Sequence, residues 1–262
     1  MDFLHSINLL YSLSGLAVGI LVGLTGVGGG SLMTPLLVLA FGIHPTTAVG
    51  TDLLYAAATK SVGTVVHGAN RTIDWGIVGR LAAGSIPATA LTLLVMAHYG
   101  KQLGTVHGVI TTVLGVALLL TAAAILFRTM IVAFFAKRAG PPNPRRTTLL
   151  TIVLGAVLGL LVTVSSVGAG AIGMTVLLIL YPRLPVGRLV GSDIAHAVPL
   201  TLLAGLGHWR MGSVDWHLLV SLLTGSIPGI IIGSMFTARA PDRVLRPILA
   251  GTLGLVGVKL FF

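Results

Sequence analysis

Residues 25–31 read Thr25-Gly26-Val27-Gly28-Gly29-Gly30-Ser31, and 140 positions later the chain reads Ser165-Ser166-Val167-Gly168-Ala169-Gly170-Ala171. Each stretch interrupts a long apolar segment, the first over 8–42 and the second over 147–180. A helix that crosses the hydrocarbon core needs about 20 apolar residues, so each segment is too long for one helix. Glycine-rich backbone in mid-segment breaks a helix and frees N–H groups. At membrane depth these must be satisfied by protein, water or a ligand. No strand precedes either stretch, which sets them apart from a dinucleotide-binding loop.

The surrounding composition fixes the solvent. Of 262 residues, 55% are hydrophobic and 8% charged. A soluble domain carries about 25% charged residues. A surface that poor in charge faces lipid. The 35 glycines fit close helix packing in a bilayer. With no cysteine, thiolate metal sites, thiol nucleophiles and disulfides are excluded. The N-terminus lacks the cationic start of a signal peptide and is read as part of the mature chain. The net charge of +10 sits mostly in short loops, where it signals topology rather than nucleic-acid binding.

Eight apolar stretches follow one another, at 8–42, 48–69, 75–98, 104–135, 147–180, 187–207, 214–237 and 243–262. They form two groups of four. Gly84-Ser85-Ile86-Pro87 recurs as Gly225-Ser226-Ile227-Pro228, Asp74-Trp75 as Asp215-Trp216, His67 as His208, and Gly50-Thr51-Asp52 as Gly191-Ser192-Asp193, all at an offset of 141. An ordered series of matches is an internal duplication, a common plan among transporters. The predicted fold is an all-α polytopic membrane protein of two homologous four-segment halves. Residues 1–136 form an N-terminal transmembrane repeat, 137–146 a basic, proline-rich cytoplasmic linker, and 147–262 the C-terminal repeat.

Charge suggests how the halves face. Suppose each broken segment is a re-entrant helical hairpin that returns to its starting side. Twelve of the 16 Lys and Arg then share one face, with Lys101, Arg210 and Lys259 opposite and Lys60 inside a span. If each broken segment crosses once, the split is 9 to 6. The positive-inside rule favours the first arrangement, an inverted repeat with six full spans.

Several residues can carry chemistry. A helix restarting near Ser31 or Ala171 points its N-terminal amides at the break. Two such tips make a cradle for an oxyanion, with Gly28, Gly29, Gly30, Gly168 and Gly170 supplying backbone and Thr25, Ser31, Ser165 and Ser166 hydroxyls. The blander reading is that the glycines serve close packing. Lys60 is costly inside a span and marks either a pathway or a structural pair. Its repeat counterpart is Thr201. Asp52 and Asp193 are either helix N-caps or a proton or cation coupling site. Tyr55 and His196, at matching positions three residues on, join them as coupling candidates, against ordinary hydrogen-bonded packing. His67, His208, Asp74-Trp75 and Asp215-Trp216 read as architecture, and Pro87 and Pro228 as kinks. No metal-spaced His cluster, nucleophile–base set or phosphate loop is present, so no cofactor, metal or enzymatic activity is expected. An anion channel and an integral membrane enzyme are the rival classes.

These motifs together resemble the TauE/SafE-type sulfite exporter family, also called the toluene sulfonate uptake permease family. The resemblance rests on Gly26-Val27-Gly28-Gly29-Gly30, then Pro45 with Ala48-Val49-Gly50-Thr51, then His67 with Ile73-Asp74-Trp75 and the echo His208 with Val214-Asp215-Trp216. The two-times-four layout agrees. It implies a multi-pass carrier of the bacterial cytoplasmic membrane for sulfite or organosulfonates, working on a small anionic substrate with a proton or sodium as coupling ion. A homodimer is compatible with it, and nucleic acid is not a partner. Asp52 and Asp193 depart from the small polar residue expected there in many members.

Overall fold

The computed structural model describes residues 8–25, 30–103, 106–138, 143–168 and 170–235, with 250–251, 253–255 and 257–259 near the C-terminus. All regular secondary structure among the described residues is helical, without strands. The elements are α1 (Leu9–Thr25), α2 (Gly30–Leu39), α3 (Pro45–Ala69), α4 (Trp75–Leu103), α5 (Val106–Leu126), α6 (Arg128–Arg138), α7 (Pro144–Ser165), α8 (Ala171–Leu180), α9 (Val186–Arg210) and α10 (Trp216–Met235). Both long segments break where the glycines predict, between α1 and α2 and between α7 and α8.

The start of α7 shows how local sequence sets a boundary. Asn143 accepts hydrogen bonds from the N–H groups of Arg145 and Arg146, and Pro144 takes the first helical position. Asp74 caps α4 through the N–H groups of Gly76 and Ile77, and Asp215 caps α10 through that of Leu218. Pro87 and Pro228 lie inside the continuous helices α4 and α10.

Glycine contacts give the packing directions. Gly15, Gly19 and Gly23 of α1 lie on Leu222, Ser226 and Ser234 of α10, so those helices run parallel. In a second group Gly155 and Gly159 of α7 lie on Leu81 and Ser85 of α4, again in parallel. Thr59 meets Ser226 and Gly63 meets Ile230, which aligns α3 with α10. Ser85 meets His196 and Leu93 meets Gly207, which aligns α4 with α9. Between the two trios, Gly50 lies near His208, Leu54 against Gly205 and Gly63 near Ile194, so α3 and α9 run antiparallel. Each trio mixes helices of both halves. The halves are interlocked, not adjacent.

One consequence concerns the breaks. Because α1 and α3 are parallel, α2 must carry the chain back between them, and α8 does the same between α7 and α9. The chain reverses across each break, as a hairpin does.

Two expectations change. By length and apolarity α4, α7, α9 and α10 can each cross a membrane, and α5–α6 forms one bent candidate, with a 71° bend at Phe127. The fourth apolar stretch, read from sequence as one span, is thus divided by this bend. α3 is long enough, at 25 residues, but falls short in apolarity because it carries Asp52 and Lys60. Both are buried, so α3 is an interior helix whose polar groups are hidden by its neighbours.

Candidate functional site

The repeated Gly-Thr/Ser-Asp motif divides its labour. Gly50 admits the backbone of the other half: a Cβ there would stand 2.1 Å from the Ser213 carbonyl oxygen. Gly191 admits Thr72 in the same way, at 2.3 Å. The next residue fastens the contact. Thr51 Oγ1 accepts from the Asp215 N–H at 3.0 Å, and Ser192 Oγ from the Asp74 N–H at 2.8 Å. Two positions of the motif thus clasp the halves and leave the aspartate for the interior.

Asp52 and Asp193 are not N-caps. Helix α3 starts at Pro45 and α9 at Val186, so both aspartates lie more than a turn inside, at 0% and 1% exposure. Their partners differ. Asp52 Oδ2 accepts hydrogen bonds from Thr34 of α2 and from Ser166 in the α7–α8 break, the latter at 2.9 Å. One carboxylate on α3 therefore holds both interrupted segments. Neither oxygen of Asp193 has a hydrogen-bond partner among the described residues.

Lys60 is buried on α3, two turns beyond Asp52, and its charge acts on Asp193 and on Asp52. Its counterpart Thr201 is uncharged and bonds back to the Ala197 carbonyl at 2.8 Å, so the cation at this repeat position belongs to the first half alone. His196 Nε2 pairs with Ser85 at 2.9 Å, while Nδ1 has no partner among the described residues. Tyr55, at the matching position, is fully buried with its hydroxyl beside the Thr59–Ser226 pair.

At the second break, Ser166 sits at φ 59°, ψ 2°, left-handed backbone that a non-glycine residue adopts at a cost. Its hydroxyl contact with Asp52 offsets that cost. Gly168 at φ 111° takes a conformation closed to other residues, and α8 restarts at Ala171. Ser165 Oγ donates to the Leu161 carbonyl at 2.7 Å and accepts from the Val167 N–H at 3.2 Å. The two hydroxyls expected to face an anion are thus engaged, Ser165 with its own backbone and Ser166 with Asp52. At the first break, Gly28 and Gly29 lie outside the described residues. Thr25 ends α1, and Gly30 and Ser31 open α2.

His208 does more than frame a loop. Its Nε2 donates to the Thr163 carbonyl at 2.8 Å, near the C-terminal end of α7 where carbonyls lose their helical partners. His67 instead stays within its own half and pairs with Thr72 at 2.9 Å. Thr34 went unnoticed in the sequence, because a lone threonine in an apolar helix carries no pattern. Its only signal is its spacing after the glycine break.

If Asp52 ties the breaks, its donors should be measurable. Thr34→Val and Ser166→Ala should each lower stability by about 1–3 kcal/mol, the range for orphaning a buried acceptor. Both effects should shrink in an Asp52→Asn background, read by thermal unfolding in detergent. Additive losses would refute the tie.

Comparison with known proteins bears on this interior. A family model described as "Sulfite exporter TauE/SafE" matches residues 11–260. The chain is 39% identical over 254 residues to the "Probable membrane transporter protein YjnA" of Bacillus subtilis, covering 95% of this chain and 97% of the relative. It is 30% identical to "Probable membrane transporter protein YdhB" of the same organism, covering 94% and 96%. A "Probable membrane transporter protein" of Xylella fastidiosa is 24% identical over 86% of this chain and 83% of its own. No solved structure is a significant match.

Proposed function

The chain belongs to the TauE/SafE sulfite exporter family of membrane transporters, and from that premise we propose that it carries sulfite or a small organosulfonate across the cytoplasmic membrane by alternating access, driven by an ion gradient. The observation that carries the reading is the meeting of two broken segments, one from each half, at the Asp52 carboxylate, with Lys60 buried on the same helix. The anion lies between the breaks. Backbone at Gly28–Gly30 and Gly168–Gly170 receives it, with Thr25, Ser31, Ser165 and Ser166 as hydroxyl donors, Ser166 being released when its tie to Asp52 loosens, and Lys60 as counter-charge.

The halves are inverted repeats, with 137–146 as their cytoplasmic linker. Support comes from α3 and α9, which are repeat counterparts yet run antiparallel. A two-fold axis along the membrane normal would leave counterpart spans parallel, whereas one in the membrane plane reverses them. The sidedness of Lys and Arg supports the same axis. The hairpins at the breaks then re-enter the membrane and return. Rocking of one trio against the other exposes the breaks to each side in turn.

Proteoliposomes loaded with labelled sulfite, or with a small organosulfonate, test this. Saturable flux that speeds up when unlabelled anion is present on the far side is the expected result. Accumulation against a concentration difference excludes a channel. If neither anion moves, the proposed substrate class is wrong.

A further inference from the structure

Asp52 and Asp193 occupy equivalent positions in the duplication and are equally buried, yet the chain treats them oppositely. The residues that would mirror the donors of Asp52 explain why. Thr34 corresponds to Met174, and Ser166 to Gly26, neither of which has a side-chain hydroxyl. On the α8 side Asp193 Oδ1 lies against Gly173, 3.0 Å from where a Cβ would stand, and the nearby Thr175 hydroxyl is turned to the Ala171 carbonyl instead. Resting on the carrier reading above, we propose that Asp193 is the site that takes up and returns the coupling proton, while Asp52 is a fixed tie.

The groups around Asp193 can be named element by element. From α3, Lys60 is the charged side chain that acts on it. Asp52 lies on the same helix and shares Lys60. On α9 itself His196 is one turn away and engaged with Ser85. α8 carries no titratable residue. On α4, Arg80 is turned to the Tyr181 hydroxyl at 3.2 Å, and His98, Tyr99 and Lys101 stand toward the helix's other end. On α7, Arg145 and Arg146 lie in the first turn, far from the break.

Charge counting then links proton and anion. With both carboxylates ionised and Lys60 charged, the interior holds one net negative charge and repels an entering oxyanion. One proton on Asp193 makes it neutral, and Lys60 is released to the anion. Anion binding and protonation of Asp193 therefore favour each other, and by linkage the effect is reciprocal. The anion and the proton travel in the same direction. A sodium ion fits less well, since it would need several oxygen ligands beside a lysine, where Asp193 has none to share.

Only six acidic side chains exist in the whole chain, which makes infrared titration readable. The protein is reconstituted in lipid, and the carboxylic acid C=O band is followed against pH for wild type, Asp193→Asn, Asp193→Glu and Asp52→Asn. The band of a buried acid should be present in wild type, absent in Asp193→Asn, shifted in Asp193→Glu and kept in Asp52→Asn. A band that persists in Asp193→Asn, or vanishes only in Asp52→Asn, overturns the assignment. In the same vesicles an imposed pH gradient should drive sulfite accumulation at least tenfold better in wild type than in Asp193→Asn, while sulfite–sulfite exchange falls by less. Accumulation that follows a sodium gradient and ignores pH also overturns it. Absence of any sulfite movement in wild type would count against the substrate reading, and the infrared result would still decide Asp193.

Discussion

Replacing Gly225 with alanine should prevent the protein from surviving extraction as a single, monodisperse species, and Gly84→Ala should do the same. A Cβ at Gly225 would stand 1.8 Å from the Ser12 carbonyl oxygen of α1, and one at Gly84 1.9 Å from the Ile152 carbonyl oxygen of α7. Both obstacles are backbone, so no rotamer change relieves the clash. The helices must separate, and with them goes the dispersion contact that holds helices together where lipid competes equally for apolar surface. Overpacking costs about 1–3 kcal/mol where side chains can shift. Here about 3 kcal/mol or more is expected, a melting shift of about 10 °C at about 2–4 °C per kcal/mol. Gly79→Ala is the internal control, because nothing lies within 4 Å of its Cβ position on the same helix α4. It should match wild type or gain slightly from helix propensity. Fluorescence-detected size exclusion after a heat ramp checks all three, and a Gly225→Ala protein melting with wild type would sink the packing account.

The same glycines show what a sequence can and cannot disclose. The repeated Gly-Ser-Ile-Pro reveals the duplication, but each glycine touches the opposite half, and only the folded chain shows the partner. Breaks were legible because glycine clusters in an apolar run have few other uses. So were the Asp-Trp starts of α4 and α10, where a short side chain reaches its own backbone. Those are local effects. The role of Asp52 was not legible: its position in the motif suggested a cap, and its donors lie 18 and 114 residues away. Nor was the bend at Phe127, where nothing punctuates the apolar run with glycine or proline. The asymmetry between Asp52 and Asp193 could have been read from the duplication alone, by asking which residues stand opposite Thr34 and Ser166. It needed the structure to show that those two positions mattered.

Lys60→Ala should abolish gradient-driven flux and destabilise the protein, for one electrostatic reason. Lys60 acts on both interior aspartates. Removing a buried cation leaves nearby buried carboxylates less compensated, which lowers stability. Here two carboxylates lose their cation. A group that neutralises itself instead of remaining charged lowers that cost, so Asp193 should then hold its proton and stop exchanging it. Transport would fall by about 100-fold or more, beyond what weaker anion affinity alone would give, since both counter-charge and coupling are lost. The double variant Lys60→Ala/Asp193→Asn separates the two effects. It removes one of the two carboxylates along with the cation, so thermal stability should recover only in part, the loss at Asp52 remaining. Flux should not recover. Stability unchanged in Lys60→Ala would mean that the lysine reaches water or lipid headgroups instead of facing the aspartates. Gradient-driven flux restored in the double variant would overturn both roles: Lys60 would serve only to balance Asp193, and another group would have to carry the coupling proton.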